Sequence, residues 1–250
     1  MPSDKNTYII SLKNFNKIIK IDKTKGAVIV QSGTKISNLV KTLKINRYKI
    51  FCVPGGEKIS VGGAISANAI GKDSSPVFGS FGDNVISLKI LTSKNKIMHL
   101  SKSSIRFKNI IGGFGLNGLI LEAKLKIKKI KTENVKLETK IVSSLSELKK
   151  ALQKKFEYNY AQLDPFFRKS NFGIIFSART SDINRCIYQN INLKSSYIEE
   201  KIFKFSSLFL NNFTWKIFYK LFFFLNKNQK KIIDLHNFHY SSKYKHMIPL

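Results

Sequence analysis

Apolar positions in the first half of the chain recur at spacings that predict short strands and one amphipathic helix. A β-branched run at residues 27–30 ends at Ser32-Gly33. Apolar residues then recur at i, i+3, i+4 and i+7 from Ile36 to Leu43, which predicts a helix that begins near Thr34. Four strands are predicted in this half, at residues 27–30, 49–53, 85–92 and 96–100. The last two flank Ser-Lys-Asn, which is typical of a hairpin.

The second half begins with a strand–helix–strand–strand pattern over residues 135–178. Ser144 and Glu147 have the spacing of a capping box and predict the start of its helix. Residues 197–231 then interleave aromatic residues with lysines, and we predict a basic, aromatic helical insert there. Its longest run without charge, residues 205–215, is shorter than the ~20 residues that a membrane span needs. Such a helix either packs on the second domain or lies in a membrane interface.

Glycine is concentrated between residues 53 and 82, which contain seven of the chain's 14 glycines among small, mostly uncharged residues. A core strand does not tolerate this much glycine, and a surface linker is more polar. The backbone must therefore approach something closely, either another chain segment in a cluster of tight turns or a flat, phosphate-bearing ligand. We interpret the segment as a ligand-binding region, in which Gly62 and Gly63 should accept no side chain.

Two nucleotide-binding motifs are rejected on their context. Residues 113–118 match G-x-G-x-x-G, which in a Rossmann fold is followed directly by a helix. Here residues 119–128 alternate between apolar and charged, which predicts a strand with one solvated face. Gly71-Lys72 superficially resembles a Walker loop, but Asp73 follows where Ser or Thr should stand. Neither a Rossmann site nor a P-loop is predicted.

The chain is strongly basic, with a formal net charge of +29 over 250 residues. Its basic residues are 39 lysines and only five arginines, whereas nucleic-acid readers rely on arginine for bidentate contacts. We therefore predict no nucleic-acid partner. Cys52 and Cys186 cannot form a disulfide framework, which favours a reducing compartment. No signal-peptide core lies in residues 1–20.

The histidines of the chain do not predict a metal site. His236 and His239 have a spacing that two ligands on a helix could share, but Asp234 is the only nearby acidic partner. We predict core or surface histidines there and no metal.

Several motifs occur in an order that resembles a known family. They are V-P-G-G at 53–56, V-G-G-A-I at 61–65, G-K at 71–72, G-S-F-G at 79–82 and G-G-F-G-L-N-G-L-I at 112–120. The order resembles the FAD-binding domain of the vanillyl-alcohol oxidase/p-cresol methylhydroxylase (PCMH-type) superfamily. It is most similar to the decaprenylphosphoryl-β-D-ribose 2-oxidase group. The resemblance covers residues 8–130 strongly and the remainder weakly.

The resemblance implies an α+β fold with two domains: an FAD-binding domain at residues 1–132 and part of a substrate domain at residues 133–250. It implies FAD as cofactor and assigns its contacts residue by residue. Six residues would line the phosphates and the flavin, namely Gly55, Gly56, Ser60, Val61, Gly62 and Gly63. Ala67, Asn68 and Ile70 would lie along the ring system, and Leu119 would touch the adenine side through its backbone.

Three departures from the family pattern limit these expectations. Ile70 stands where the pattern of this group has His, so we expect non-covalent FAD. Asp73 replaces an Asn. The family's first phosphate-binding loop should precede residue 8 and is absent from the sequence, so we expect poor FAD binding by the chain alone. The sequence also stops before the region in which the family places a catalytic Lys, and no catalytic residue is predicted.

The function that the resemblance implies is FAD-dependent oxidation of a sugar hydroxyl, with the sugar carried on a polyprenyl phosphate in cell-envelope polysaccharide synthesis. A partner reductase would reduce the resulting keto-sugar. The predicted location is cytoplasmic, with peripheral contact at the inner membrane. Two alternatives stay open: an inactive, truncated remnant that does not bind FAD, and a basic module that binds a membrane surface or nucleic acid.

Overall fold

The chain forms antiparallel sheets with helices packed against them in a computed structural model that describes residues 9–73, 78–164, 172–181 and 212–239. It divides into two compact units. One unit comprises Met1–Ile70 with Ser80–Ile130, and the other comprises Gly71–Gly79 with Lys131–Leu250. The short segment at Gly71–Gly79 thus belongs to the second unit, although the sequence continues from it into the first. The α+β fold class is confirmed, since the named strand pairings are all antiparallel.

The first unit is built on a six-stranded sheet in the order β1-β2-β6-β4-β5, with β3 also paired to β6. Its strands are β1 (Ile18–Asp22), β2 (Ala27–Gln31), β3 (Tyr48–Ile50), β4 (Val85–Leu91), β5 (Ile97–Ser101) and β6 (Leu119–Lys129). Its helices are α1 (Ile36–Ile45), α2 (Val61–Ser66) and α3 (Ile105–Ile110), with a short 3-10 turn at Gly82–Asn84.

The predicted elements of this unit form at nearly the predicted positions. The apolar stripe of α1 buries Ile36, Leu39 and Leu43, as its spacing requires. The strand predicted at 49–53 is shorter, because the backbone of Cys52 takes a positive φ of 55° that a strand cannot continue through.

Strand β6 lies between β2 and β4, and its period-two pattern is interrupted by one bulge. Ala123, Leu125 and Ile127 face the core, as predicted. Towards the start of β6, Glu122 pairs with Lys89 and Ile120 with Ile90, so Leu121 has no opposite residue. Because of this extra residue, the alternation shifts by one position and Ile120 lies on the buried face of the strand.

The second unit is built on a four-stranded sheet in the order β10-β7-β9-β8. Its strands are β7 (Asn134–Val142), β8 (Tyr158–Leu163), β9 (Gly173–Thr180) and β10 (Lys230–Asp234). Its helices are α4 (Leu145–Leu152), α5 (Asn212–Asn226) and α6 (Leu235–His239). Ser144 caps α4 by accepting from the amide of Glu147, as the capping box predicts.

The predicted helical insert ends earlier than residue 231. Thr139 Oγ1 on β7 donates to the carbonyl oxygen of Asn226 and accepts from the amide of Gln229. These bonds satisfy the helix end, and the chain then enters β10, which pairs with β7. Residues 197–211 of the predicted insert lie outside the described residues. No helix in the described ranges is long and apolar enough to cross a membrane.

Candidate FAD site

The segment that enters α2 is tied to the turn between β2 and α1. The amide of Val61 donates to the carbonyl oxygen of Thr34, and the amide of Ile36 donates to that of Ile59. Ser60 caps the helix, and its Oγ accepts from the amide of Gly63 at 3.2 Å. The first Gly-rich segment is therefore held against the end of β2 by reciprocal backbone bonds.

Gly62 makes the closest approach in this region. Its amide donates to the carbonyl oxygen of Ser32 at 2.8 Å. A Cβ at Gly62 would lie 2.9 Å from Cβ of Ser32, whereas a Cβ at Gly63 would meet only Ser60 Oγ, at 3.2 Å. Neither glycine is among those with positive φ. Packing thus supports the expectation that Gly62 excludes a side chain, whereas for Gly63 the expected clash with the flavin stays a prediction.

The second Gly-rich segment packs on the C-terminal end of α2. The amide of Gly112 donates to the carbonyl oxygen of Ile65, and the amide of Phe114 donates to that of Ser66. This loop turns through left-handed conformations at Gly112, Phe114, Gly115 and Gly118. The two glycine-rich motifs are therefore neighbours in space, although about 50 residues of sequence separate them.

Between the two segments lies a cleft of about 1200 Å³. Ser60, Gly62 and Gly63 line one side, and residues 115–120 line another. Its volume exceeds the ~300–1,000 Å³ that is usual for small-molecule sites, so a dinucleotide is of suitable size. Five cationic side chains and no acidic ones are among its described lining residues; the cations are Lys13, Lys35, Lys94, Lys96 and Arg106. Such a lining favours a polyanionic ligand such as a pyrophosphate.

Ser32 gives independent information on whether the cleft suits a phosphate-bearing cofactor. Its residue is 2% exposed, and its Oγ is buried without a hydrogen-bond partner, yet Ser32 lines the cleft. An unsatisfied buried hydroxyl costs about 1–3 kcal/mol. A phosphate or ribose oxygen would accept from this hydroxyl, so the residues present fit a phosphate-bearing cofactor.

The predicted contact residues are only partly gathered at this cleft. Ser60, Gly62, Gly63 and Leu119 line it. Six others are not among its lining residues: Gly55, Gly56, Val61, Ala67, Asn68 and Ile70. Gly55, Gly56 and Ile70 are exposed, and Val61 is fully buried. The assignment of all ten residues to FAD stays a prediction.

Four of the predicted residues make hydrogen bonds within the protein that the sequence did not indicate. Asn68 takes a positive φ of 44°, and its Oδ1 accepts from the amide of Gly82 at 3.0 Å. The amides of Val61, Gly62 and Gly63 all donate within the protein. These three amides are therefore engaged within the protein, and hydroxyls and cations are among the donors that line the cleft.

Sequence reasoning missed Ser32, Gly33 and the cations of the cleft. The turn Ser32-Gly33 after β2 was a signal that could have found the first two. A Cβ at Gly33 would lie 2.0 Å from the carbonyl oxygen of Leu12, so this glycine is required by close packing. Lys94 and Lys96 were interpreted only as parts of a hairpin, because nothing local shows that the hairpin borders a cleft.

Lys72, Asp73 and His239 form a polar cluster within the second unit. The Lys72 ammonium donates to the carbonyl oxygen of Phe238 at 3.1 Å, and burial lowers the pKa of Lys72 to about 8. Asp73 Oδ2 lies 3.5 Å from His239 Nε2, and both residues are buried. Burial also raises the pKa of Tyr158, whose ring packs edge-on to His239. His236 is exposed, and the described residues contain no group of three or more potential metal ligands among His, Cys, Asp and Glu.

Comparison with known families identifies the class of the first unit. Residues 2–101 match a family described as "FAD binding domain". This match confirms the resemblance of this part of the chain to PCMH-type FAD-binding domains and supports FAD as the cofactor.

Several curated relatives are named as oxidases. The chain is 30% identical to "Decaprenylphosphoryl-beta-D-ribose oxidase" of Mycolicibacterium smegmatis over 142 residues, which is 56% of this chain and 31% of the relative. It is 24% identical to "L-gulonolactone oxidase 3" of Arabidopsis thaliana over 165 residues, 63% of this chain and 28% of that protein. It is 24% identical to "D-arabinono-1,4-lactone oxidase" of Candida glabrata over 149 residues, which is 57% of this chain and 28% of that protein. The chain spans about a third or less of the length of these relatives.

Proposed function

We propose that this chain belongs to an FAD-dependent oxidoreductase that oxidises a hydroxyl of a sugar. The observation that carries the proposal is the basic cleft between the two glycine-rich segments, in which the Ser32 hydroxyl lacks an acceptor. When bound, FAD would supply a two-electron acceptor for a hydride from the carbon that bears the hydroxyl. The relatives' names support the substrate class, since each acts on a sugar or a sugar lactone.

In this proposal the chain's own residues hold the cofactor. Arg106 and Lys35 neutralise the pyrophosphate, and Ser32 Oγ donates to one of its oxygens. The close contact between Gly62 and Ser32 fixes the wall of the cleft, so that donors and backbone stay at the distances that binding requires.

The finer proposal is that the sugar is linked to a polyprenyl phosphate and serves cell-envelope polysaccharide synthesis. Its support is the resemblance in the glycine-rich motifs and the similarity to the mycobacterial oxidase. A polyprenyl substrate resides in a bilayer, so the enzyme would work at the cytoplasmic surface of the inner membrane. A partner reductase would then reduce the keto-sugar product.

The contacts of Lys72 give no support to this finer proposal. Its ammonium donates to Phe238 within the second unit and lies 4.9 Å from the centre of the Tyr160 ring. A phosphate would have to compete with both contacts.

A flavin titration tests the first proposal. The purified 250-residue chain should quench FAD fluorescence saturably, although with the low affinity that is expected for the chain alone. The Arg106→Gln variant should bind about tenfold more weakly still, since bonds to charged groups contribute about 1.5–3 kcal/mol. Lys149→Gln is the matched control, because Lys149 is exposed on α4 and does not line the cleft. Failure of the unaltered chain to bind FAD saturably would refute the proposal and favour the remnant.

Substrate class is tested separately by anaerobic loss of the visible flavin absorbance. A polyprenyl-phosphoryl pentose should bleach the flavin, and a sugar lactone should not. Bleaching by the lactone alone would replace the finer proposal while leaving the coarser one in place.

A further inference from the structure

Helix α5 has two apolar faces, and only one of them is packed against the second unit. Phe222, Phe223 and Asn226 are buried, the two phenylalanines in a core with Tyr158 and Phe176. On the other face, between Ile217 and the end of the helix, four large apolar side chains are each more than half exposed: Ile217 (53%), Leu221 (54%), Phe224 (76%) and Leu225 (54%).

These four side chains form one continuous surface, which we call the α5 stripe. Their spacings of four, three and one residue place them within about a quarter of the helix circumference, opposite the buried face. Single exposed apolar side chains are ordinary on a protein surface. Four large ones aligned on one helix face are not, and such patches mark contact surfaces.

Lysines border the α5 stripe, and acidic residues are absent from the surrounding sequence. Residues 212–233 contain five lysines and no Asp or Glu. Lys220 lies on the helix edge beside the stripe, Lys227 directly follows the helix end, and Lys230 follows in β10; all three are exposed. Long lysine stems can lie along an apolar surface while their ammonium groups reach a layer of anions.

The apolar stripe and its bordering lysines together favour one kind of binding partner. A second copy of the chain would bring the same lysines into the interface, with a formal net charge of +29 on each partner. A bilayer that contains anionic lipids offers apolar acyl chains to the stripe and negative headgroups to the lysines. Because the opposite face of α5 is buried in the protein, the helix can enter such a surface only along its length.

We propose that the α5 stripe inserts into the interface of a membrane that contains anionic lipids, with Lys220, Lys227 and Lys230 at the headgroups. This inference rests on α5 and β10 and is independent of flavin chemistry. It can therefore fail while the proposed oxidoreductase function stands, and the reverse also holds.

A tryptophan placed on the stripe provides the probe for the test. Trp215, the single tryptophan of the sequence, lies two residues before Ile217 and therefore on the other side of α5. The probe is the double variant Trp215→Phe with Phe224→Trp. This protein is mixed with vesicles of phosphatidylcholine, either alone or with phosphatidylglycerol. Brominated acyl chains in the mixed vesicles should quench its tryptophan fluorescence, and binding should weaken as salt is raised.

Matched variants then locate the contact. Leu221→Glu should reduce partitioning to anionic vesicles at least tenfold, since it removes a buried leucine from the bound state and adds a like charge to the lipid. Leu145→Glu is the control, because Leu145 is 52% exposed on α4 of the same unit. Lys220→Gln with Lys227→Gln should weaken binding about tenfold or more, whereas Lys149→Gln with Lys150→Gln should weaken it less.

Several outcomes would overturn the proposal. One is equal binding to neutral and anionic vesicles, and another is loss of binding by the Leu145 control to the same extent as by Leu221→Glu. A third is a wild-type dimer that Leu221→Glu converts to a monomer without any vesicle binding, which would assign the stripe to a second copy. Thermal unfolding of each variant, followed by circular dichroism, ensures that only folded proteins are compared. If Leu221→Glu does not fold, the proposal is tested with the double variant Lys220→Gln and Lys227→Gln.

Discussion

The amide of Gly62 donates to the carbonyl oxygen of Ser32 at 2.8 Å, and the two backbones approach so closely that Gly62 has no room for a side chain. This contact joins the first turn of α2 to the end of β2. It also forms a wall of the basic cleft, where Ser32 Oγ is buried without a partner. The packing of one glycine thus controls the geometry of a candidate cofactor donor.

We predict different effects for alanine at the two neighbouring glycines. Gly62→Ala should destabilise the protein by about 1–3 kcal/mol, because its Cβ would lie 2.9 Å from Ser32 Cβ. Gly63→Ala should change the free energy of unfolding by less than ~1 kcal/mol, because the helix propensity of alanine offsets a shift of the Ser60 hydroxyl that caps α2. Urea denaturation measures both free energies of unfolding. Equal destabilisation by the two variants would contradict the packing described here.

Removal of the Ser32 hydroxyl should separate stability from cofactor affinity. Ser32→Ala should leave the free energy of unfolding unchanged or raise it by about 1 kcal/mol, because a buried unsatisfied group is lost. The same variant should bind FAD about fivefold or more weakly, because a donor to the cofactor is lost. Thermal denaturation measures the stability, and FAD fluorescence titration measures the affinity for the cofactor. A Ser32→Ala protein that is less stable and binds FAD normally would show that Ser32 has only a structural role.

Lys72 should make stability rise with pH in the alkaline range. Burial lowers its folded-state pKa from 10.5 to about 8, so the unfolded chain binds more protons than the folded chain between these values. The cost of burying the ammonium is therefore fully present below pH 8 and is relieved as pH rises towards 10.5. After allowance for solvent screening, we expect the free energy of unfolding to rise by about 1–2 kcal/mol over this pH range.

Urea denaturation near neutral pH and near pH 10 measures this dependence for the unaltered protein and for Lys72→Met. The difference between the two proteins isolates Lys72 from the other groups that titrate in the same range. The methionine variant should show the smaller rise in stability with pH. An identical rise in both proteins would assign the dependence to other groups.

FAD bound to this chain should be released by acid precipitation. Ile70 stands where the resemblance places a histidine, and an aliphatic side chain cannot form a covalent link to the flavin. The Ile70 side chain is 75% exposed, so substitution there should leave the fold intact. Flavin that stays with the protein through denaturing gel electrophoresis would show that another residue is attached to it.

The sequence by itself determined most of the secondary structure and the class of the first domain. The apolar spacing in α1, the capping box of α4 and the period-two pattern of β6 are local signals, because helix and strand periodicities are set by neighbouring residues. The rejection of a Rossmann site rested on the same local pattern, since a strand follows residues 113–118. The ordered glycine motifs were enough to indicate FAD.

Only the tertiary structure decided which residues share a site. Ser32, Lys94 and Arg106 meet at one cleft because β2, the β4–β5 hairpin and α3 border it, and no periodicity encodes that meeting. The bulge at Leu121 depends on the register between two strands rather than on either strand alone. Lys72 donates to Phe238, 166 positions away, so its lowered pKa follows from burial that its sequence neighbours do not predict. Long-range packing sets these properties, and the local pattern of a chain does not contain it.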